Sequence, residues 1–493
     1  MDREIELKFL IPPEAAALAL AQLKGEGAVR QLDATYFDTR DHALRKAGFG
    51  LRVRDGEGGR KQTLKSASAG GVFSRGEWEE KIVGPGPDRD ALARTPAAAM
   101  LDGEDLSPVF TTRVERTVRI VHVGEAVIEA ALDRGELSAD GRRAPVCELE
   151  LELKSGEPGA LFDLARQLSK RVPLRLSLIS KAERGYGLAA GPDEPAPRRQ
   201  ATPLDPKATV AEALQALGQA GLTHLCAGLE ALREGPEPDA VHQARVATRR
   251  LRALLKVFKP LTGDEAAQRL DEELDWLAGE FDAARDLDVF VGDVWAKQAA
   301  GVSFAGRDAF ERGLKAAHAN AYLRMEAALE SPRTREVLLE AAAWLEAGPW
   351  STDPALADLR DGRAAAFAAQ VLAHRRKQVK TRAKRFGDLD AHARHKLRLK
   401  GKTLRYAAED LAPLFPEHPK RAALFIEASK AVQDLLGDLN DRNVRQALIE
   451  AATHGDGTLA RDAARVILAD DEDELLKAAG KALDDLLDAK PFW

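Results

Sequence analysis

Residues 4–9 read EIELKF, with Glu4, Glu6 and Lys8 at one set of alternate positions and Ile5, Leu7 and Phe9 at the other. A period of two predicts a strand with one charged and one apolar face. Similar short runs recur in GLRVRD (50–55), RKQTLKS (60–66), GEWEEKIV (76–83), RVERTVRIV (113–121), AVIEAALD (126–133) and CELELELK (147–154). At least seven strands are therefore expected, with helical inserts near 13–24 and 158–171, and the series suggests an antiparallel barrel or strongly curved sheet. The glycines of DGEGGR (55–60) read as a hairpin turn. Residues 191–206 hold five prolines in sixteen positions, which predicts a stiff connector. Beyond it, Ala, Leu, Arg and Glu recur at helical spacing to the end of the chain. The expected class is α+β multidomain, with an all-α half from residue 205 onward.

The charged face of the strands is unusual in its purity. Arg52 and Arg54 share a face, as do Thr63 and Lys65, then Arg75, Glu77 and Glu79, then Glu129 and Asp133, then Glu148, Glu150 and Glu152. A solvated face normally mixes Ser, Thr, Asn and Gln with its charges, and for one strand that reading would suffice. Here ELELEL is acidic throughout and LRVR basic throughout, so simple pairing between neighbouring strands is not expected. The carboxylates suit a hard divalent cation, Mg²⁺ or Mn²⁺. The guanidinium and ammonium groups suit phosphate oxygens. A metal–polyphosphate chain would satisfy both sets. The sequence holds no G-x-x-x-x-G-K-[ST], so the phosphate-cradling loop of that type is excluded.

The helical half repeats itself. HQARVATRRLR (242–252) and HKLRLKGKTLR (395–405) place His242, Arg245, Arg249 and Arg252, then His395, Arg398, Lys402 and Arg405, at 3-4-3 spacing on one helix face. AARDLDVF and LNDRNV follow at matching distances, with Asp286 and Asp441 in register at a period of about 154 residues, too long for a solenoid. Two bundles related by a pseudo-two-fold axis are expected. Stacked cations need an answer, and Asp286, Asp288, Asp434 and Asp441 are candidates to orient them. HRRKQVKTRAKR (374–385) adds seven Lys or Arg and no acid, with Lys377, Lys380 and Lys384 again on one face. Few aromatics accompany these stripes, so they suit a chain of phosphates better than stacked bases. A metal role for His242 and His395 is disfavoured, because neither has a second ligand at metal spacing. The acidic stretch DDEDE (470–474) and the aromatic end Phe492–Trp493 read as part of a packing helix.

Composition narrows the classes. With 493 residues, two or three domains are expected. A net charge of −6 excludes global basicity, so any anion site must come from local clustering. Two distant cysteines, Cys147 and Cys226, predict no disulfide framework and a reducing compartment. The charged N-terminus and the lack of a long apolar run predict no signal peptide, no membrane span and a cytoplasmic location.

The ordered motifs resemble two families. EIELK matches the E-x-E-x-K signature of the CYTH domains, the triphosphate tunnel metalloenzymes. The likeness continues through YFDT (36–39), GLRVR, QTLK, EWEE, the strand holding Arg116, IEAALDRGEL, CELELELKSG and SLISKAERGY (177–186). The last two are most similar to the bacterial inorganic triphosphatase branch. The resemblance implies an eight-stranded antiparallel barrel with a charged tunnel over residues 1–190. It implies Glu4, Glu6, Glu148 and Glu150 as ligands of Mg²⁺ or Mn²⁺, and Lys8, Arg52, Arg54, Lys65, Arg116 and Lys181 as phosphate-holding residues. Glu77, Glu79, Glu129, Asp133 and Glu152 would then serve a second metal, a water or the basic side chains. The implied reaction is hydrolysis of inorganic triphosphate to pyrophosphate and phosphate. The same barrel family holds adenylyl cyclases and thiamine-triphosphatases, so a cyclase or organic triphosphatase stays open, as does a binding protein without turnover. Residues 207–493 resemble the CHAD domain, with repeats near 207–330 and 360–493. That likeness implies two four-helix bundles around a basic cleft, binding of inorganic polyphosphate by the two stripes and the 374–385 segment, and association with polyphosphate granules.

Overall fold

The structure, a computed structural model, describes residues 4–25, 27–56, 59–66, 73–101, 103–191, 201–298, 301, 303–468 and 472–493. Most of the expected connector, the tip of DGEGGR and part of DDEDE lie outside the described residues. The chain divides into two compact units, Met1–Pro197 with Pro332–Gly348, and Arg198–Ser331 with Pro349–Trp493.

The first unit is built on one antiparallel sheet. Its strands are β1 (Glu4–Leu10), β2 (Gly27–Asp38), β3 (Phe49–Asp55), β4 (Lys61–Ser66), β5 (Ser74–Arg75), β6 (Glu77–Lys81), β7 (Ser107–Val123), β8 (Ala126–Ala139), β9 (Arg142–Ser155) and β10 (Arg175–Leu176). The order is β10-β1-β9-β8-β7-β2-β3-β4-β6, and β5 pairs with β1. All seven expected strands form. Strand β2 is an addition: its first half, Gly27–Gln31, is exposed throughout and so carries no alternation to read. Helices α1 (Ala16–Gln22), α2 (Pro158–Ser169) and α3 (Lys181–Ala190) complete residues 4–191 together with short helical turns.

Register decides where the charges go. Glu6 lies opposite Glu152, Lys8 opposite Glu150 and Leu10 opposite Glu148. Across the next pair, Glu148 meets Asp133 and Glu152 meets Glu129. Asp133 in turn meets Arg116, and Arg116 meets Arg30. The same face continues through Tyr36–Arg52, Arg52–Thr63 and Gly50–Lys65, and Thr63–Glu79 and Lys65–Glu77. The charged positions of eight strands thus share one face. It is not a solvated face, because Lys8, Thr63, Asp133 and Glu148 are all buried. The alternate positions Leu7, Phe9, Leu51, Val53, Leu64, Leu132, Leu149 and Leu151 are buried as well, beneath helices and loops on the other side.

The second unit is helical: α4 (Val210–Glu234), α5 (Pro238–Val257), α6 (Glu265–Val289), α7 (Arg307–Glu330), α9 (Ala364–Ala383), α10 (Ala391–Leu411), α11 (Pro419–Ala452), α12 (Gly457–Ile467) and α13 (Glu472–Asp488). The intervening helix α8 (Pro332–Ala347) packs instead on α2 and β10 in the first unit. Arg166 of α2 donates two hydrogen bonds to Glu340 of α8, at 2.7 and 2.9 Å. At the C-terminus, Phe492 is fully buried against Phe415 and Phe425, and Trp493 meets Phe425 edge-on. No helix among the described residues is long and apolar enough to cross a membrane.

Candidate functional site

Helix α3 delivers the central cation of the sheet face. Ser180 caps it: its hydroxyl accepts from the Glu183 backbone N–H, and the Glu183 carboxylate accepts from the Ser180 N–H. Lys181, the first helical residue, projects among three acids. Its Nζ lies 2.9 Å from Asp133, 2.8 Å from Glu148 and 2.6 Å from Glu150. Burial works against this ammonium, yet the three carboxylates raise its pKa well above the ordinary lysine value. Arg116 binds Asp133 in a two-pronged pair at 2.7 Å and also reaches Glu150. Burial opposes its charge too, but Glu150 and Asp133 hold its pKa well above normal. Arg184, one turn after Lys181, pairs with Glu148 and donates to the Pro145 carbonyl at 2.8 Å. Burial alone would raise Glu148 and Glu150, but Lys181, helped by Lys8, Arg116 and Arg184, pulls both below the usual carboxylate range.

The other flank is arranged similarly. Lys65 lies 3.1 Å from Glu77. Glu79 accepts from Lys61 at 2.5 Å and faces Arg54 at 3.5 Å. Arg52 is positioned beside Tyr36; its Nε is buried and has no hydrogen-bond partner. Burial opposes its charge, while Tyr36 and Glu77 keep its pKa above the arginine norm. As expected, ELELEL on β9 and LRVR on β3 are not neighbours in the sheet, and the charges meet across the face instead. Glu150 is held by Arg116, Glu148 by Arg184, and Arg54 faces Glu79. A buried carboxylate requires a counter-charge, and the sheet register and α3 bring one to each.

A divalent cation needs several carboxylates gathered round one point. Among the described residues no group of three or more His, Cys, Asp or Glu is gathered as a ready metal cage. The expected set is divided: Glu148 and Glu150 hold cations, Glu6 lies one cross-strand row away, and the Glu4 side chain lies outside the described residues. The row Glu6–Glu152–Glu129 is not such a cage either, but it concentrates negative charge. It lays three carboxylates side by side on adjacent strands, where like charges repel unless a cation answers them. Lys154 lies 2.5 Å from Glu152 and 4.0 Å from Glu129. The donors are all hard oxygens, the chemistry that Mg²⁺ and Mn²⁺ favour.

In the helical unit the two basic stripes face each other. Arg245 and Arg249 on α5 donate to Asp282 at 2.5 Å, and Arg245 reaches Asp286 at 3.3 Å. Arg398 and Lys402 on α10 share their field. Burial depresses the Lys402 ammonium to about 6, with Arg249, Arg245 and Arg398 adding to the shift. Burial also lowers Arg398, whose Nε is buried without a partner, while Asp441 opposes that shift. His242 is pushed down by burial and then by Arg285 and Arg245. His395 Nδ1 lies 2.8 Å from Asn440. Arg252 turns to Asp271, at 2.8 Å, and to Asp275. Arg405 donates to Gln433 at 2.9 Å. Lys377, Lys380 and Lys384 are exposed on α9 and just past its end. Asp288 does not orient the stripes; it accepts from Tyr322, and His318 lies 2.9 Å away. The acid that sequence reading missed is Asp282. Its signal was present, four residues before Asp286 and hence on the same helix face. Arg184, three residues after Lys181, was missed in the same way.

Two domain models match the chain: CYTH over residues 2–186 and CHAD over residues 216–450. The chain is a CYTH domain followed by a CHAD domain. An inorganic triphosphatase of Haemophilus influenzae is 33% identical over 198 residues, covering 38% of this chain and 56% of that relative. The chain thus spans little more than half the length of that relative. An uncharacterized protein of Mycobacterium tuberculosis is 26% identical over 91% of this chain and 88% of its own. The crystal structure of a CHAD domain from Ricinus communis matches at a TM-score of 0.50 and 30% identity, covering 59% of this chain and 97% of that one.

Proposed function

We propose that the CYTH unit hydrolyses inorganic triphosphate to pyrophosphate and phosphate inside a closed barrel, and that the CHAD unit binds inorganic polyphosphate. Closure is supported by the run 73–81: β5 pairs with β1, and β6, one residue further on, pairs with β4. Counting that run as one strand and β10 as a short extension leaves eight strands. The observation that carries the activity is the buried face on which Lys8, Arg52, Arg54, Lys65, Arg116 and Lys181 alternate with carboxylates.

Residues Glu6, Glu152 and Glu129, with Glu4 next along the strand, would hold Mg²⁺ or Mn²⁺. When bound, that ion neutralises phosphate charge and lowers the pKa of a coordinated water. The chain's own groups do the rest. Lys8, Arg52, Arg54 and Lys65 grip the phosphoryl oxygens. Arg116 and Lys181, held by Asp133, Glu148 and Glu150, are preorganised toward charge on the transferred group. Glu77 and Glu79 set the positions of Lys65 and Arg54. In the CHAD unit, His242, Arg245, Arg249, Arg252, His395, Arg398, Lys402 and Arg405 form the polyphosphate surface of two pseudo-symmetric bundles, and Lys377, Lys380 and Lys384 bind the same class of ligand. A cytoplasmic protein associated with polyphosphate granules fits this pair of activities.

The test is phosphate release from triphosphate with Mg²⁺ and separately Mn²⁺, comparing the intact chain with Glu4→Gln/Glu6→Gln. Metal-dependent turnover that disappears in the variant supports the reading. A folded protein that binds long polyphosphate without turnover would sink the enzymatic half, and turnover confined to ATP would move the assignment to a cyclase or organic triphosphatase.

A further inference from the structure

The cations at the end of α9 have no counterpart in the first repeat. One period of about 154 residues earlier, positions 220–231 on α4 read AGLTHLCAGLEA, without a lysine or arginine. Whatever these cations do is therefore outside the duplicated stripe. The structure gives them a cavity of about 660 Å³ between α9 and α10, lined by His374, Lys377, Gln378, Arg382, Lys384 and Lys400 among others, with no carboxylate among the described residues that line it.

The cavity and the duplicated stripe lie on opposite sides of α10. Lys400 is two residues from both Arg398 and Lys402, which at 3.6 residues per turn is about 200° around the helix from each. Ala393, which also lines the cavity, is seven residues before Lys400 and so falls on its face. The stripe residues Arg398 and Lys402 look toward Arg245 and Arg249 instead.

Two further observations point to an anionic ligand. Gln378 presents its amide to His374 at 2.8 Å and leaves the other amide atom buried without a hydrogen-bond partner. The two amide orientations are equivalent in shape. Turning it gives His374 an acceptor and puts an NH₂ donor in place of the buried oxygen, the polarity an anion nearby favours. The charges that act most on Lys400 are cations: burial lowers its pKa first, and Arg375, Arg382, Lys256 and Lys259 add to the shift. Such a group gains most from an incoming polyanion.

We propose that this cavity is a second phosphate-chain site, separate from the duplicated stripe, which takes a short run of inorganic polyphosphate. The ligand class rests on the polyphosphate reading above; the separateness of the site does not. No Phe, Tyr or Trp is among the described residues that line the cavity, so it lacks the large aromatic platforms on which successive bases stack.

The experiment is an amine-acetylation footprint of the full chain, read by mass spectrometry, with tripolyphosphate or long-chain polyphosphate added. Lys377, Lys384 and Lys400 are expected to be protected. Protection should persist in Arg245→Ala/Arg249→Ala/Arg398→Ala, which disables the stripe. In Lys377→Gln/Arg382→Gln/Lys400→Gln, the slope of log affinity against log salt for long polyphosphate should fall by roughly 2. Unprotected lysines, or protection lost along with the stripe, would overturn the second site. Equal protection by single-stranded nucleic acid would overturn its inorganic ligand. If the stripe variant binds polyphosphate as tightly as the native chain while the three lysines stay protected, the stripe reading fails and the second site stands.

Discussion

Two lysines show how the same side chain is used in opposite ways. Lys181 is buried among Asp133, Glu148 and Glu150, and its charge is held on by them. Removing it leaves three carboxylates without their shared cation. Lys181→Met should therefore destabilise the unit by about 3–5 kcal/mol, measured by denaturant unfolding; an unchanged midpoint would refute the shared-cation role. Lys402 is buried among cations, and its pKa is depressed to about 6. Between that value and the ordinary lysine pKa the unfolded chain carries one more proton than the folded one, so this group makes stability rise with pH across the window. Lys402→Met should raise the melting temperature at pH 7, and the gain should shrink as the pH approaches about 10.4. Polyphosphate entering beside Lys402 would reverse the repulsion and draw a proton onto it. Calorimetric binding at pH 7.5 should then depend on the ionisation enthalpy of the buffer in the native protein and not in Lys402→Met. A buffer-independent enthalpy in both proteins would show that Lys402 does not take up a proton.

At the scale of the element, α3 is the piece that completes the charged face. Its seat depends on Gly185: a Cβ there would lie 2.1 Å from the Phe110 ring. Tyr186 next to it donates at 2.7 Å to buried Asp38. Alanine normally favours a helix over glycine by about 1 kcal/mol, but here the clash wins. Gly185→Ala should cost about 1–3 kcal/mol and, in the triphosphatase reaction proposed for the unit, raise KM by shifting Lys181. A variant as stable as the native chain with an unaltered KM would show that the seat is not tight. Strands such as β1, β8 and β9 were readable in the sequence because an apolar buried face alternates with a charged one. The N-terminal half of β2 was not, since its exposed stretch leaves no pattern. Charge pairing was also hidden. ELELEL and LRVR look segregated along the chain, and only the register and α3 reveal that Glu148 and Glu150 have Arg184, Lys181 and Arg116 beside them. The two 3-4-3 stripes were legible as helix faces, but Asp282, which binds two of their arginines, was passed over for Asp286 and Asp288.

At the scale of the whole chain, the two units are not consecutive in sequence. The chain leaves the helical unit after Ser331, contributes α8 to the first unit, and returns at Pro349. Sequence offered no sign of this exchange, because α8 is an apolar helix inside a run of apolar helices. Its residues Val337, Leu338, Leu339, Ala342, Trp344 and Leu345 are buried. The helix it covers, α2, buries Leu161, Phe162, Leu164 and Leu168. A cut at the proline-rich connector would therefore strip the first unit of part of its core. Each large apolar side chain left uncovered forfeits about 1.5–3 kcal/mol if fully exposed, and domain stabilities are only about 5–15 kcal/mol. Residues 1–197 alone should melt at a lower temperature, or aggregate, compared with the same fragment carrying residues 332–348 on a flexible linker. The rescued fragment should recover the triphosphatase activity proposed for the unit. Identical melting curves for the two fragments would mean that α8 contributes nothing to the first unit's stability.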